Sequence, residues 1–221
     1  MLRLYALAEH PVKLPDASQL DATPLTAVGV DRRLDAIVGE VDETAREATE
    51  AAVLAHARVV EALAALNDAV LPARFAQGVA DEAELAERIK PRRPQLLAAL
   101  ERVRGCVEVG VRVLEAAAGN GKQDRASGRD YMLGRLEAVR RAERLAAEFH
   151  ESLAALARDS SHRVVASPPL VLTAAYLVPR AELESFRAAV EAAGRRRSGL
   201  TFVCTGPWPP YSFALIEADG S

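Results

Sequence analysis

Large apolar side chains alternate at Leu2 and Leu4 in a run reaching Ala8, and Pro11 and Pro15, which donate nothing to a sheet ladder, close it as a first strand. Leu25–Val30 and Leu34–Val41 are short and β-branched, with Asp31-Arg32-Arg33 between them, the pattern of a hairpin. From about Glu47 to Ala69 the period lengthens. Val53, Ala57, Val60, Leu63 or Ala64 and Asn67 form the stripe of an alanine-rich helix. Val70–Phe75 reads as extended, because the residue before Pro72 is biased away from helix.

Asp81 opens the next helix, with Glu84 three residues on to complete a capping box and Leu85 and Ile89 on its inner face. Pro94 suits the first turn of a third helix, whose stripe is Leu96, Leu97, Leu100 and Val103 and whose stop is Gly105. In Cys106–Leu114 the valines at 107, 109, 111 and 113 share one face, and Glu108, Gly110 and Arg112 the other. This is the clearest strand in the chain. A polar loop around Gly119-Asn120-Gly121 leads to Ser127 as a helix cap with Asp130 at the capping-box position. Met132, Leu136, Val139, Ala142, Ala146, Phe149, Leu153 and Leu156 then predict one long helix.

His162–Ala166 and Leu170–Val178 flank Pro168-Pro169 as two strands, and Leu183, Phe186 and Val190 mark a short helix ending at Gly194. Leu200–Thr205 and Tyr211–Ile216 read as closing strands around Gly206-Pro207-Trp208-Pro209-Pro210. From Cys106 onward the order is β-α-β-β-α-β plus one more strand. That order predicts α+β architecture with a ferredoxin-like C-terminal domain over residues 105–221, preceded by a smaller α+β domain over 1–104.

Composition narrows the class. The 221 residues are 50% hydrophobic and 27% charged, which suits a globular chain and excludes a fibre. A formal net charge of -3 supplies no overall field for nucleic acid or anionic lipid. No apolar run approaches the roughly 20 residues of a spanning helix, and Met1–Ala8 is too short for a signal core, so the expected location is cytoplasmic. Cys106 and Cys204 lack a second cysteine or histidine at ligand spacing, and both are expected as buried thiols rather than a disulfide.

Catalytic patterns fail one by one. Gly121-Lys122 suggests a phosphate loop, but the first glycine of that pattern falls at Ala116 and Gln123 stands where a hydroxyl is needed. His10, His56, His150 and His162 are scattered, each better read as solvated or hydrogen-bonded than as a metal ligand. No serine lies in a nucleophile-elbow context. Arg195-Arg196-Arg197 followed by Gly199–Val203 resembles part of an RNA-recognition strand, with Leu200 and Thr205 in place of two aromatics. A basic helix end facing the dipole is the simpler account, and RNA binding stays as the alternative. The stiff segment Gly206–Phe213, which holds the only tryptophan, serves either as a plug for the sheet or as a preorganised aromatic surface for a partner.

Five segments together resemble the gas vesicle protein F/L family (GvpF/GvpL). They are Leu4-Tyr5-Ala6-Leu7, Val70–Phe75 before an acidic helix, Gly105–Val113, Ser127–Met132 and Gly206–Phe213, the last being the most specific. The resemblance implies a non-enzymatic two-domain accessory protein of gas vesicle assembly. It would bind the hydrophobic shell protein GvpA or other accessory proteins, without cofactor, metal, small-molecule substrate, membrane or nucleic acid. Family-motif positions that become candidate partner-binding residues are Pro72, Arg74 and Phe75 in the first half; Ser127, Gly128, Arg129 and Tyr131 at the long helix; and Gly206, Pro207, Trp208, Pro209, Pro210 and Tyr211 near the end. Where the family reads Arg-Phe-Gly, this chain has Arg74-Phe75-Ala76, so the turn implied there is expected to differ.

Overall fold

Strand β1 (Leu2–Glu9) is the centre of the first sheet, paired antiparallel with β3 (Leu34–Glu40) on one side and with β4 (Val70–Pro72) and β5 (Gly78–Val79) on the other. The computed structural model describes residues 1–20, 23–42, 47–115, 128–167 and 169–214. The predicted hairpin is present: β2 (Leu25–Gly29) runs antiparallel to β3, with Leu25 opposite Gly39 and Gly29 opposite Asp35. A register shift between Leu4 and Ala6 sets the two faces of β1. Tyr5, Ala6 and Ala8 pack with Val59, Val60 and Leu63 of α1 (Glu50–Leu66), and the small alanines admit the helix closely. Leu4 and Leu7 instead line a cavity with residues of α2 (Glu82–Ile89) and α3 (Arg93–Val103). The residues from Arg3 to Ala8 are therefore all buried, where one-sided alternation would have left half of them in water.

Helix α1 is rotated from the predicted stripe. His56, Val59, Val60, Leu63 and Ala64 are its buried residues, while Val53 lies exposed. Alanines flank both candidate faces, so periodicity alone fixes the orientation weakly. The cap of α2 forms as expected on one side: Asp81 Oδ1 accepts from the Glu84 amide at 2.9 Å. Glu84, however, reaches past the cap to accept from the Ala80 amide.

In the second half, β6 (Cys106–Glu115), α4 (Gly128–Ala154), β7 (Asp159–Ser167), β8 (Leu170–Pro179), α5 (Leu183–Arg195) and β9 (Leu200–Trp208) follow in the predicted order. The sheet reads β7-β8-β6-β9, the ferredoxin-like arrangement. Val109, Val111 and Val113 of β6 join Ala146 and Leu153 of α4, Tyr176 and Val178 of β8, and Phe186 and Val190 of α5 in one core.

The chain divides into two units, one formed by Met1–Val107 with the segment from Trp208 onward, and the other by Glu108–Pro207. The tail, expected with the C-terminal domain, thus belongs to the first unit. Among its described residues beyond Trp208 no strand forms: Tyr211–Phe213 is a single 3-10 turn closed by the Phe213 amide on the Pro210 carbonyl at 3.1 Å. Pro209 and Pro210 lock φ and carry no N–H, so a ladder cannot start there. The Arg102 guanidinium on α3 donates to the Phe213 carbonyl at 2.8 Å, and Tyr211 packs against the α1 core. Ile216, Ser127 and the Gly119-Asn120-Gly121 loop lie outside the described residues. Neither cysteine is in a disulfide; Cys106 is buried as expected, but Cys204 is exposed on β9.

Candidate functional site

The first group of candidate residues surrounds the turn after β4. Pro72 is buried in β4 opposite Ala6, Arg74 is exposed and Phe75 is half-buried. The Arg3 guanidinium lies 4.8 Å from the centre of the Phe75 ring, and His56 meets the same ring edge-on at 5.7 Å. Tyr5 stacks on the other side of His56 at 5.0 Å. Ala76 has φ +68°, the left-handed region that glycine favours. The turn that the resemblance implied would differ thus keeps a glycine-like backbone, with an alanine side chain in place.

The tail contributes the second group. Gly206 has φ +107°, and its carbonyl accepts from the Arg187 guanidinium at 2.8 Å. Pro207 is exposed, Trp208 ends β9 with 46% of its surface in solvent, and Pro209 and Pro210 are buried. Tyr211 is half-buried; burial and the nearby Glu61 carboxylate push its phenol up to about 12. Tyr211–Phe213 packs beside β4, so the fold brings the tail next to the Val70–Pro72 segment, two pieces far apart in sequence. Within this group Trp208 is displayed, whereas Pro209, Pro210 and Phe213 anchor.

The third group, Gly128, Arg129 and Tyr131, lies in the first turns of α4 in the second unit. Further along, Met132, Leu133 and Leu136 are exposed, although the periodic stripe had placed Met132 and Leu136 in the core. The stripe becomes buried only from Ala142, with Ala146, Phe149 and Leu153.

The basic run proposed for RNA is engaged in other contacts. Phe202 packs edge-on against Phe149 of α4 at 4.8 Å, on the helix side of the sheet, and Arg197 donates to both carboxylate oxygens of Glu148 at 2.5 and 2.6 Å. Arg195 pairs with Glu191. An RNA-recognition surface requires aromatics on the open face of the sheet, and Phe202 faces the other way.

Three of the histidines have hydrogen-bond partners. His10 Nδ1 lies 3.0 Å from Asp35 Oδ2, His56 Nε2 is 2.9 Å from the Ala73 carbonyl, and His150 Nδ1 is 3.2 Å from the Tyr176 hydroxyl. Burial and the adjacent His162 hold the His150 pKa below the ordinary histidine value. The close approach of His150 and His162, with ring centres 3.8 Å apart and planes tilted by 35°, carries no sequence signal, since the two stand on different elements. Among the described residues no three His, Cys, Asp or Glu side chains cluster as a metal site, and no helix is long and apolar enough to cross a membrane.

The architecture recurs in solved proteins. The crystal structure of gas vesicle protein GvpF from Anabaena sp. PCC7120 matches with a TM-score of 0.78 at 21% identity, over 100% of this chain and 98% of that one. GvpF from Microcystis aeruginosa matches with 0.77 at 19%, over 97% and 99%. Two antiparallel sheets with helices, in this order, are thus the fold of solved gas vesicle proteins. In sequence, the chain is 34% identical to gas vesicle protein L of a Streptomyces species over 76% of this chain and 70% of the relative. It is 30% identical to gas vesicle protein F2 of Halobacterium salinarum over 84% and 78%. Residues 2–215 match the family model for the gas vesicle synthesis protein GvpL/GvpF, and the chain belongs to that family.

Proposed function

We propose that this protein assists gas vesicle assembly in the cytoplasm by binding the hydrophobic shell protein GvpA during nucleation or growth, without catalysing a reaction. The observation that supports this reading is Trp208, the only tryptophan, held half in solvent beside two buried prolines. A large, rigid, exposed aromatic is the type of residue that anchors protein interfaces. A shell monomer with a water-repelling face must be covered before it joins the wall, and a preorganised aromatic surface can cover it at little entropic cost.

The test is co-expression with GvpA, measuring how much shell protein stays in solution and co-purifies with the wild type and with Trp208→Ala. Retention by wild type and loss in a folded Trp208→Ala variant is the expected result. Retention unchanged by the substitution makes the tail purely structural, and no retention by wild type ends the reading.

A further inference from the structure

The first unit contains an apolar cavity of about 100 Å³. Leu4 and Leu7 of β1, Val79 of β5, Leu85 and Ile89 of α2 and Leu96 of α3 line it, none more than 7% exposed. Arg88, Arg92, Gln77 and Gly78 complete the lining. Protein cores ordinarily close voids of this size, because the lining atoms lose dispersion contacts across the gap. Here the apolar walls meet two arginines and a glutamine, the combination of apolar lining and a few polar residues that marks a binding pocket.

The geometry points to a docking site for a protein segment that inserts one aliphatic side chain, leucine, isoleucine or valine, with a carboxylate beside it. Size selects the anchor. A cavity of about 150 Å³ holds benzene, so this smaller one suits a branched aliphatic group and refuses an indole or a lipid chain. Charge selects the neighbour. Arg88 is fixed in place by Glu84 Oε1 at 2.5 Å and by the Gly78 carbonyl at 3.3 Å. These contacts use two of the five N–H groups of a guanidinium, which binds carboxylates in a fork. Glu84 offsets part of that charge, and Arg92 adds a second cation to the lining. None of the lining residues belongs to the tail, so this site stands apart from the Trp208 reading.

The experiment titrates the full-length ¹⁵N-labelled protein with the acetylated pentapeptide Gly-Asp-Leu-Asp-Gly and follows the amides of Val79 and Ile89. Saturating shifts there are expected. Replacing the peptide's leucine by alanine, or its aspartates by lysine, should weaken binding about tenfold or more, and a tryptophan in place of the leucine should abolish it. In the protein, Leu96→Phe fills the space and should remove binding while leaving thermal unfolding unchanged or raised. Arg88→Gln should weaken binding about tenfold with the fold intact, and it decides the matter if Leu96→Phe fails to fold. Equal affinity for the leucine and alanine peptides, indifference to Arg88→Gln, or no shift at millimolar peptide would overturn the site.

Discussion

His56 donates from Nε2 to the carbonyl oxygen of Ala73 across 2.9 Å, tying α1 to the end of β4. A carbonyl can only accept, so the proton sits on Nε2. Nδ1 is buried and has no hydrogen-bond partner among the described residues. Protonating Nδ1 would place an unsolvated charge beside Arg3. Burial, and to a lesser degree Arg3, accordingly hold the His56 pKa below its ordinary value of 6.5, against the opposing pull of the Ala73 carbonyl.

A pH dependence results. Above pH 6.5 this histidine is neutral in both folded and unfolded chains, and its contribution to stability is complete. Below that, the unfolded chain takes up a proton that the folded chain refuses, so stability falls as pH drops toward the lower folded value. The slope tends to about 1.4 kcal/mol per pH unit for a full proton. His150 adds a loss of the same sign. Urea midpoints at pH 7.5, 6.5 and 5.5 should decline, and His56→Asn should flatten the decline while lowering the midpoint at pH 7.5. An unchanged slope in the variant would count against the buried neutral state.

Ala76 keeps a left-handed backbone, which costs an L-residue roughly 1–2 kcal/mol. Glycine removes that cost but adds some freedom to the unfolded chain. Relief is the larger effect, so Ala76→Gly should stabilise by about 0.5–1 kcal/mol in chemical denaturation.

Gly110 is the opposite case. A Cβ built there would stand 2.7 Å from Thr205 Oγ1, the hydroxyl that donates to the Gly110 carbonyl at 3.4 Å. Alanine normally helps a strand, but a β-branched threonine has little room to yield. Gly110→Ala should destabilise by about 1 kcal/mol, and adding Thr205→Ala should recover most of it; simple additivity in that double-mutant cycle would show that the two side chains do not compete.

The tail separates display from anchoring. Trp208→Ala should cost no more than about 1 kcal/mol, as expected for a half-exposed side chain. Phe213→Ala removes a ring that is 4% exposed and should cost about 3 kcal/mol. Thermal unfolding of the two variants side by side checks the contrast, and a Trp208→Ala loss as large as that of Phe213→Ala would place the indole among the structural residues.

The order of elements was legible wherever burial contrast was strong. The valines of β6 and the Phe186 and Val190 stripe of α5 state their faces plainly, and Asp81 announces α2. On α1, alanines on both sides of the stripe blur the contrast, which is why Val53 rather than His56 looked buried. Met132 and Leu136 fit the helical period of α4 but are exposed, because periodicity records which residues share a face and not whether anything covers it. The candidate site was legible as motif segments: Trp208 stands out by composition, and the Arg74-Phe75 turn through the family resemblance alone. Its geometry was not: the packing of Tyr211–Phe213 beside β4 is a tertiary fact, and the cavity is bounded by residues of β1, β5, α2 and α3 that no sequence motif joins.

The second unit is a single uninterrupted stretch, whereas the first is written in two instalments on either side of it. During synthesis, the ribosome therefore finishes the inner unit while the outer one still lacks the turn that Arg102 holds through the Phe213 carbonyl. A nascent chain arrested with Pro207 just outside the exit tunnel should protect Glu108–Pro207 from protease while Met1–Val107 remains easier to cut, and releasing the tail should close that difference. The outer unit's completion thus reports that the whole message through Phe213 has been read.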